Sequence, residues 1–109
     1  MVYDRQSSTI IIDMAKRGKQ IQPRSGVEKA FGQVVRTIRE EEINISQAEL
    51  EKRTGLNRTF ISDLERGIQG PGIRTIFRIA KGLETSPDSL LRRTTRSKFF
   101  EFPVGRDVR

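Results

Sequence analysis

Between residues 27 and 92 the apolar positions recur at helical spacing, and polar residues suited to caps and turns separate the runs. Val27, Phe31, Val34, Val35 and Ile38 stand at i, i+4, i+7, i+8 and i+11, which predicts a first helix over 27–42. Gly32 weakens that helix by about 1 kcal/mol relative to alanine. Glu40, Glu41 and Glu42 lie at its C-terminal end, where the helix dipole disfavours negative charge. They are read as a solvated helix end, with catalytic carboxylates as the alternative. Ser46-Gln47-Ala48-Glu49 has the form of a capping box: Ser46 accepts from the amide of Glu49, and Glu49 reaches back to the amide of Ser46. A second helix then runs from Gln47 to about Thr54, and Gly55 supplies a left-handed stop. Asn57 is a good N-cap for a third helix, from about Arg58 to Arg66, with Phe60, Ile61 and Leu64 turned inward and Gly67 at its end. Residues 68–72 form a loop. A fourth helix spans about Ile73 to Leu83, with Ile73, Ile76, Phe77, Ala80 and Leu83 on one face. Ser86 caps a short fifth helix with Pro87 at its first position and with Leu90 and Leu91 as its buried residues. Five helices with short connections predict an all-α bundle around Phe31, Val35, Ile38, Leu50, Ile61, Leu64, Ile76, Ala80, Leu83 and Leu90.

Composition narrows the chemistry. The 109 residues are 34% hydrophobic and 32% charged, enough for one small core with tails left over. There is no cysteine and no histidine. Disulfides, thiolate nucleophiles, the commonest zinc ligands and the commonest general base are therefore missing, and an enzyme is disfavoured. No metal or cofactor is implied. No apolar run is long enough to span a membrane, and Thr9–Ile12 is too short for a signal-peptide core, so the expected location is the cytoplasm.

The net charge of +7 is unevenly spread. Residues 1–26 carry +3, residues 27–92 only +1, and residues 93–109 again +3. Three regions follow: a basic N-terminal arm over 1–26, a helical domain over 27–92 and a C-terminal extension over 93–109. A basic chain seeks polyanions. Here the ends supply the general attraction, and the nearly neutral middle must recognise by shape and specific contact.

Two short helices joined by Gly55-Leu56-Asn57 match a helix-turn-helix. That signal alone is weak, because any helical hairpin imitates it. More specific is the ordered set Ile38-Arg39-Glu40, Ser46-Gln47-Ala48-Glu49-Leu50, Gly55, Ile61-Ser62, Leu64-Glu65-Arg66-Gly67, Pro71, Ile79-Ala80-Lys81-Gly82-Leu83 and Leu90. With these residues the stretch Phe31–Leu91 resembles the Cro/C1-type (XRE-like) phage-repressor family of DNA-binding domains. Two positions depart from the family pattern. Glu51 stands where a small residue usually sits at the helix crossing, and Thr54 stands where an apolar one is usual.

The resemblance implies that the third helix enters the major groove of double-stranded DNA. Its outward residues would then contact bases: Arg58 to guanine O6 and N7, Thr59 to a thymine methyl or a base acceptor, Ser62, and Asp63 to cytosine N4. The plainer role for Asp63 is to pair with Arg66 or hold Arg58. Gln47 resembles the family's phosphate-anchoring glutamine. Asn57, Arg66, Gln69, Gly70 and Arg74 are the other candidate phosphate contacts, with solvated surface charge as the alternative for Arg66 and Arg74.

The implied function is a transcriptional regulator, a repressor working as a homodimer at a palindromic operator. Antitoxins with a toxin partner, restriction–modification controllers and protein-bridging modules share the fold and remain open. The expected dimer contact lies after the fourth helix, in Leu90, Leu91, Phe99, Phe100, Phe102 and Val104. Phe100, Phe102 and Val104 would share one strand face, with Thr9–Ile12 as a second β-prone run. An unstructured tail is the alternative.

Overall fold

The structure is a computed structural model and describes residues 26–103. Five α-helices follow one another: α1 (Gly26–Thr37), α2 (Gln47–Thr54), α3 (Arg58–Glu65), α4 (Ile73–Gly82) and α5 (Pro87–Arg96). No strand occurs among the described residues. Every helix of the expected all-α bundle is present. The residues before Gly26 and after Pro103, which include Thr9–Ile12 and Val104, lie outside the described range.

The caps explain the boundaries. Ser46 Oγ accepts from the amide of Glu49 at 3.0 Å, and Ser86 Oγ from the amide of Ser89 at 3.2 Å. Asn57 Oδ1 accepts from the amide of Thr59 at 2.7 Å. Gly55 closes α2 at φ +76°, a conformation glycine enters without penalty. The capping box is only half made, because the Glu49 carboxylate turns along its own helix to Arg53 at 3.1 Å and Lys52 at 3.7 Å.

The first helix does not run regularly to residue 42. Its last stretch, Ile38–Glu42, is a π-helical turn in which the amide of Ile43 bonds the carbonyl of Ile38 at 2.9 Å. The wider turn accommodates one more residue than an α-turn.

The core contains nine of the ten expected residues, together with Ala30, Val34 and Ile79. Ile76, the tenth, is half-buried against it. On α4 the expected face was too broad. Ile76, Ile79, Ala80 and Leu83, at i, i+3, i+4 and i+7, supply its inward row. Ile73 and Phe77 stand outside it at 66% and 57% exposure.

Two glycines set the helix approaches. A Cβ on Gly32 would lie 2.2 Å from the carbonyl oxygen of Leu64 and 2.7 Å from that of Glu65, so only glycine lets α1 and α3 meet backbone to backbone. A Cβ on Gly82 would lie 2.6 Å from Thr54 Cγ2. Thr54 is buried, but its hydroxyl donates to the Leu50 carbonyl at 2.7 Å and accepts from the Leu56 amide at 3.1 Å. Its methyl therefore packs as an apolar group would, and no polar atom is stranded. Glu51 remains half-exposed at the helix surface. Arg53, on the same helix, binds Glu49, Glu84 and the Gly82 carbonyl.

The C-terminal region differs from expectation. α5 continues past 92 to Arg96, and Thr94 is buried with its hydroxyl on the Leu90 carbonyl at 2.7 Å. The chain then turns at Ser97, whose carbonyl accepts from the Phe100 amide at 3.0 Å and whose hydroxyl meets Gln33 Oε1 on α1 at 3.3 Å. A Cβ on Gly26 would lie within 2.8 Å of backbone atoms of Phe99 and Glu101, so the segment packs on the start of its own α1.

Candidate nucleic-acid interface

α3 is short and two-faced. Ile61 and Leu64 are buried and Phe60 is half-buried, which turns Arg58 and Thr59 outward and leaves Ser62 and Asp63 at the margin. With Gln47 at the start of α2 and Arg66 just beyond α3, these four residues line one open depression. Arg66 Nη2 donates to Asp63 Oδ1 at 2.7 Å, so the carboxylate at this site already has a cation.

Behind the depression lies a buried charge network that sequence reasoning missed. Arg39, from the π-helical turn, meets Glu65 through Nε at 2.6 Å and Nη2 at 2.9 Å. Its Nη1 donates to the Ile45 carbonyl at 2.8 Å, and Glu40 lies 3.3 Å from Nη2. Gln47 Nε2 donates to Glu65 Oε1 at 3.0 Å. The hydrogen bonds that Arg39 donates to Glu65 are the main reason that the Arg39 pKa is raised, against the opposing effect of burial. A paired, hydrogen-bonded arrangement of this kind is what allows both charges to be buried. The signal was present in the register: Arg39 is four residues after Val35 and Glu65 four after Ile61, both core positions.

The remaining candidates are dispersed. Asn57 begins α3, but its side-chain oxygen is committed to capping. Gln69 and Arg74 are exposed. Gly70 faces the Glu28 side chain, with Glu28 Oε2 3.2 Å from where a Cβ would stand. Among the residues expected at a dimer contact, Leu90 has no exposure and belongs to the core. It faces inward because Ser86 and Pro87 fix where α5 begins. Leu91, expected to be buried in the fifth helix, is 45% exposed, because the inward row of α5 runs through Leu90 and Thr94, and Phe102 is 77% exposed. Phe99 and Phe100 are half-buried, with Lys29 and Lys98 5.0 and 5.4 Å from the Phe99 ring centre. Phe100 and Phe102 meet edge to face at 4.8 Å just after the turn that Ser97 opens, in a stretch with no strand pairing among the described residues.

A helix-turn-helix family model matches residues 35–90, a span running from within α1 into α5 and containing the α2–α3 pair. The chain belongs to the helix-turn-helix family. The Cro/C1-type residues of the sequence fall on the elements described above, with the expected helix-turn-helix on the α2–α3 pair. The chain is 41% identical over 71 residues to the control protein C.BamHI of Bacillus amyloliquefaciens, a match covering 65% of this chain and 88% of the relative. Among solved structures it is similar to the restriction–modification controller protein C.Esp1396I, at 29% identity and TM-score 0.61, covering 67% of this chain and 94% of the other. The controller C.AhdI of Aeromonas hydrophila is also similar, at 31% identity and TM-score 0.55, covering 57% of this helix-turn-helix chain and 92% of the other.

Proposed function

We propose that this helix-turn-helix protein is a sequence-specific regulator of transcription that binds double-stranded DNA as a homodimer on a two-fold operator, in the manner of a restriction–modification controller. The observation that carries the reading is the outward row of α3, Arg58, Thr59, Ser62 and Asp63, which shares one depression with Gln47. An α-helix fits the major groove, where each base pair presents its own donor and acceptor pattern. Arg58 is exposed and presents a planar fork that matches guanine O6 and N7. Thr59, beside it, offers a methyl and a hydroxyl. Asp63 accepts from cytosine N4 once Arg66 turns from it to a phosphate. Gln47 keeps one amide hydrogen on Glu65 and has a second for a phosphate at the N-terminus of α2, where backbone amides also favour an anion. Asn57, Gln69 and Arg74 are the flanking candidates.

The controller reading is supported by the likeness to C.BamHI and by C.Esp1396I, solved as a tetramer with its natural 35-base-pair operator. No observation favours a toxin partner. Selection of bound sequences from random duplex DNA tests the proposal. The expected result is an inverted repeat with one guanine per half-site that loses its preference in Arg58→Ala. Binding without enrichment of any sequence would reject sequence-specific recognition and leave a general polyanion binder.

A further inference from the structure

We propose that the apolar run Ile10-Ile11-Ile12 docks on the C-terminal aromatic patch of its own chain and closes residues 13–25 into a basic loop. Phe100 and Phe102 meet edge to face at 4.8 Å, Phe102 keeps 77% of its surface exposed, and Pro103 beside it is exposed as well. Among the described residues the amides of Glu101 and Phe102 have no backbone partner. The stretch is nevertheless anchored. Phe99 and Phe100 are half-buried, and the Phe99 carbonyl and Glu101 amide approach Gly26 so closely that a Cβ there would lie within 2.8 Å of both. An anchored platform that presents an exposed ring suits an apolar partner.

Connectivity and charge select the occupant. Residues 1–25 join the fold at Gly26, the residue on which the patch rests. Ile10–Ile12 is the longest apolar run in that segment, and 13 residues separate it from Gly26. Such a tether reaches up to about 43 Å when extended. It also keeps the run at an effective concentration on the order of millimolar, so a small patch suffices to hold it. In an extended run Ile10 and Ile12 lie on one face, at the same i, i+2 spacing as Phe100 and Phe102. Asp13 directly follows the run, and Lys29 and Lys98 stand 5.0 and 5.4 Å from the Phe99 ring centre. A second copy of the patch would bring the same lysines against each other, and a duplex would meet the exposed Phe102 and Glu101. The closed loop carries Lys16, Arg17, Lys19 and Arg24. Its anchor lies beside the turn after α3, where a Cβ on Gly67 would stand 2.9 Å from Lys29 Cα. Docking therefore holds four cations at the margin of the α3 face, where they attract phosphate.

The test uses the full chain without DNA. Because the chain has no cysteine, Ile11→Cys with Glu101→Cys places one thiol on each segment and leaves Ile10, Ile12, Phe100 and Phe102 intact. A short bifunctional thiol reagent should join the two thiols within one chain, read as a linked peptide after digestion and as a monomer on a denaturing gel. Adding Ile10→Asp and Ile12→Asp should slow the link at least about tenfold, because burial of one isoleucine is already worth that factor. A rate unchanged by the aspartates would mean chance collisions of a tethered segment, and would overturn the proposal. So would a link between two chains, which would make a second copy the occupant, or the absence of any link. Phe102→Trp gives a second readout, since the chain has no other tryptophan. Its emission should shift to the red when residues 1–12 are removed, and an unchanged spectrum would equally overturn the docking. Neither readout involves DNA, so failure of this contact is distinguishable from failure of the DNA reading.

Discussion

α3 and α4 are both short helices that bury one face and present the other, yet what they present is opposite in kind. α3 shows Arg58 and Thr59, with Ser62 and Asp63 at the margin, backed by the buried Arg39–Glu65–Gln47 network. α4 shows Ile73 and Phe77, backed only by apolar packing of Ile76, Ile79, Ala80 and Leu83. A polar row held from behind by fixed hydrogen bonds suits a partner that is read by donors and acceptors. An exposed apolar row suits a partner recognised by shape and by removal of surface from water, which in the proposed homodimer is the second copy. The contrast teaches that exposure alone does not assign a role. The chemistry behind the exposed row matters as much as the row itself.

The sharpest way to break the contrast is to remove the support of α3 alone. Glu65→Ala strands a buried guanidinium, which should cost about 3–5 kcal/mol, a large share of the roughly 5–15 kcal/mol that holds a domain together. Denaturant titration measures the loss. Where the variant remains folded, it should bind DNA less well and still dimerise. A smaller effect is expected from Arg58→Ala, about 1–3 kcal/mol on the selected site with stability unchanged. Competition binding against variants of that site locates the affected base pair. Deleting residues 1–25, which hold +3 of the net charge, should lower affinity for random duplex and flatten its salt dependence without altering the selected sequence. An unchanged salt slope would show that this segment does not touch DNA.

The smallest effect belongs to a surface pair remote from both rows. Hydrogen bonds from Arg93 hold the Glu42 pKa below its ordinary value. A carboxylate depressed on folding stabilises above its unfolded pKa, and the contribution is lost as pH falls through the folded value. Thermal melting in acid should therefore show a loss of less than about 1 kcal/mol, as for exposed ion pairs. Arg93→Gln should remove that increment, and added salt should mimic it.

The helices were legible because local chemistry fixes them: Ser46, Asn57 and Ser86 cap where they start, and Gly55 ends α2 where a left-handed residue is needed. The outward row of α3 followed from the inward spacing of Phe60, Ile61 and Leu64. What stayed hidden depends on contacts between distant residues. Arg39 and Glu65 are 26 positions apart, and neither announces burial by type. Gly32 reads locally as a helix weakener, and only the α3 carbonyls above it reveal why glycine is required. Ile73 and Phe77 extend the apolar stripe of α4, and spacing cannot tell which edge of a broad stripe meets the core. The C-terminal aromatics have strand-like alternation, but the chain turns at Ser97 and packs Phe99 and Glu101 on Gly26, with no strand pairing among the described residues.

One measurement addresses both faces together: selection from random duplex DNA run in parallel with the wild type, Arg58→Ala and Phe77→Lys. The wild type should return an inverted repeat with half-sites about one helical turn, roughly 34 Å, apart. Arg58→Ala should keep the symmetry and lose one specified base in each half. Phe77→Lys should keep the half-site and lose the symmetry. If Phe77→Lys still returns the full inverted repeat, or Arg58→Ala the unchanged motif, the division of labour between α3 and α4 is contradicted.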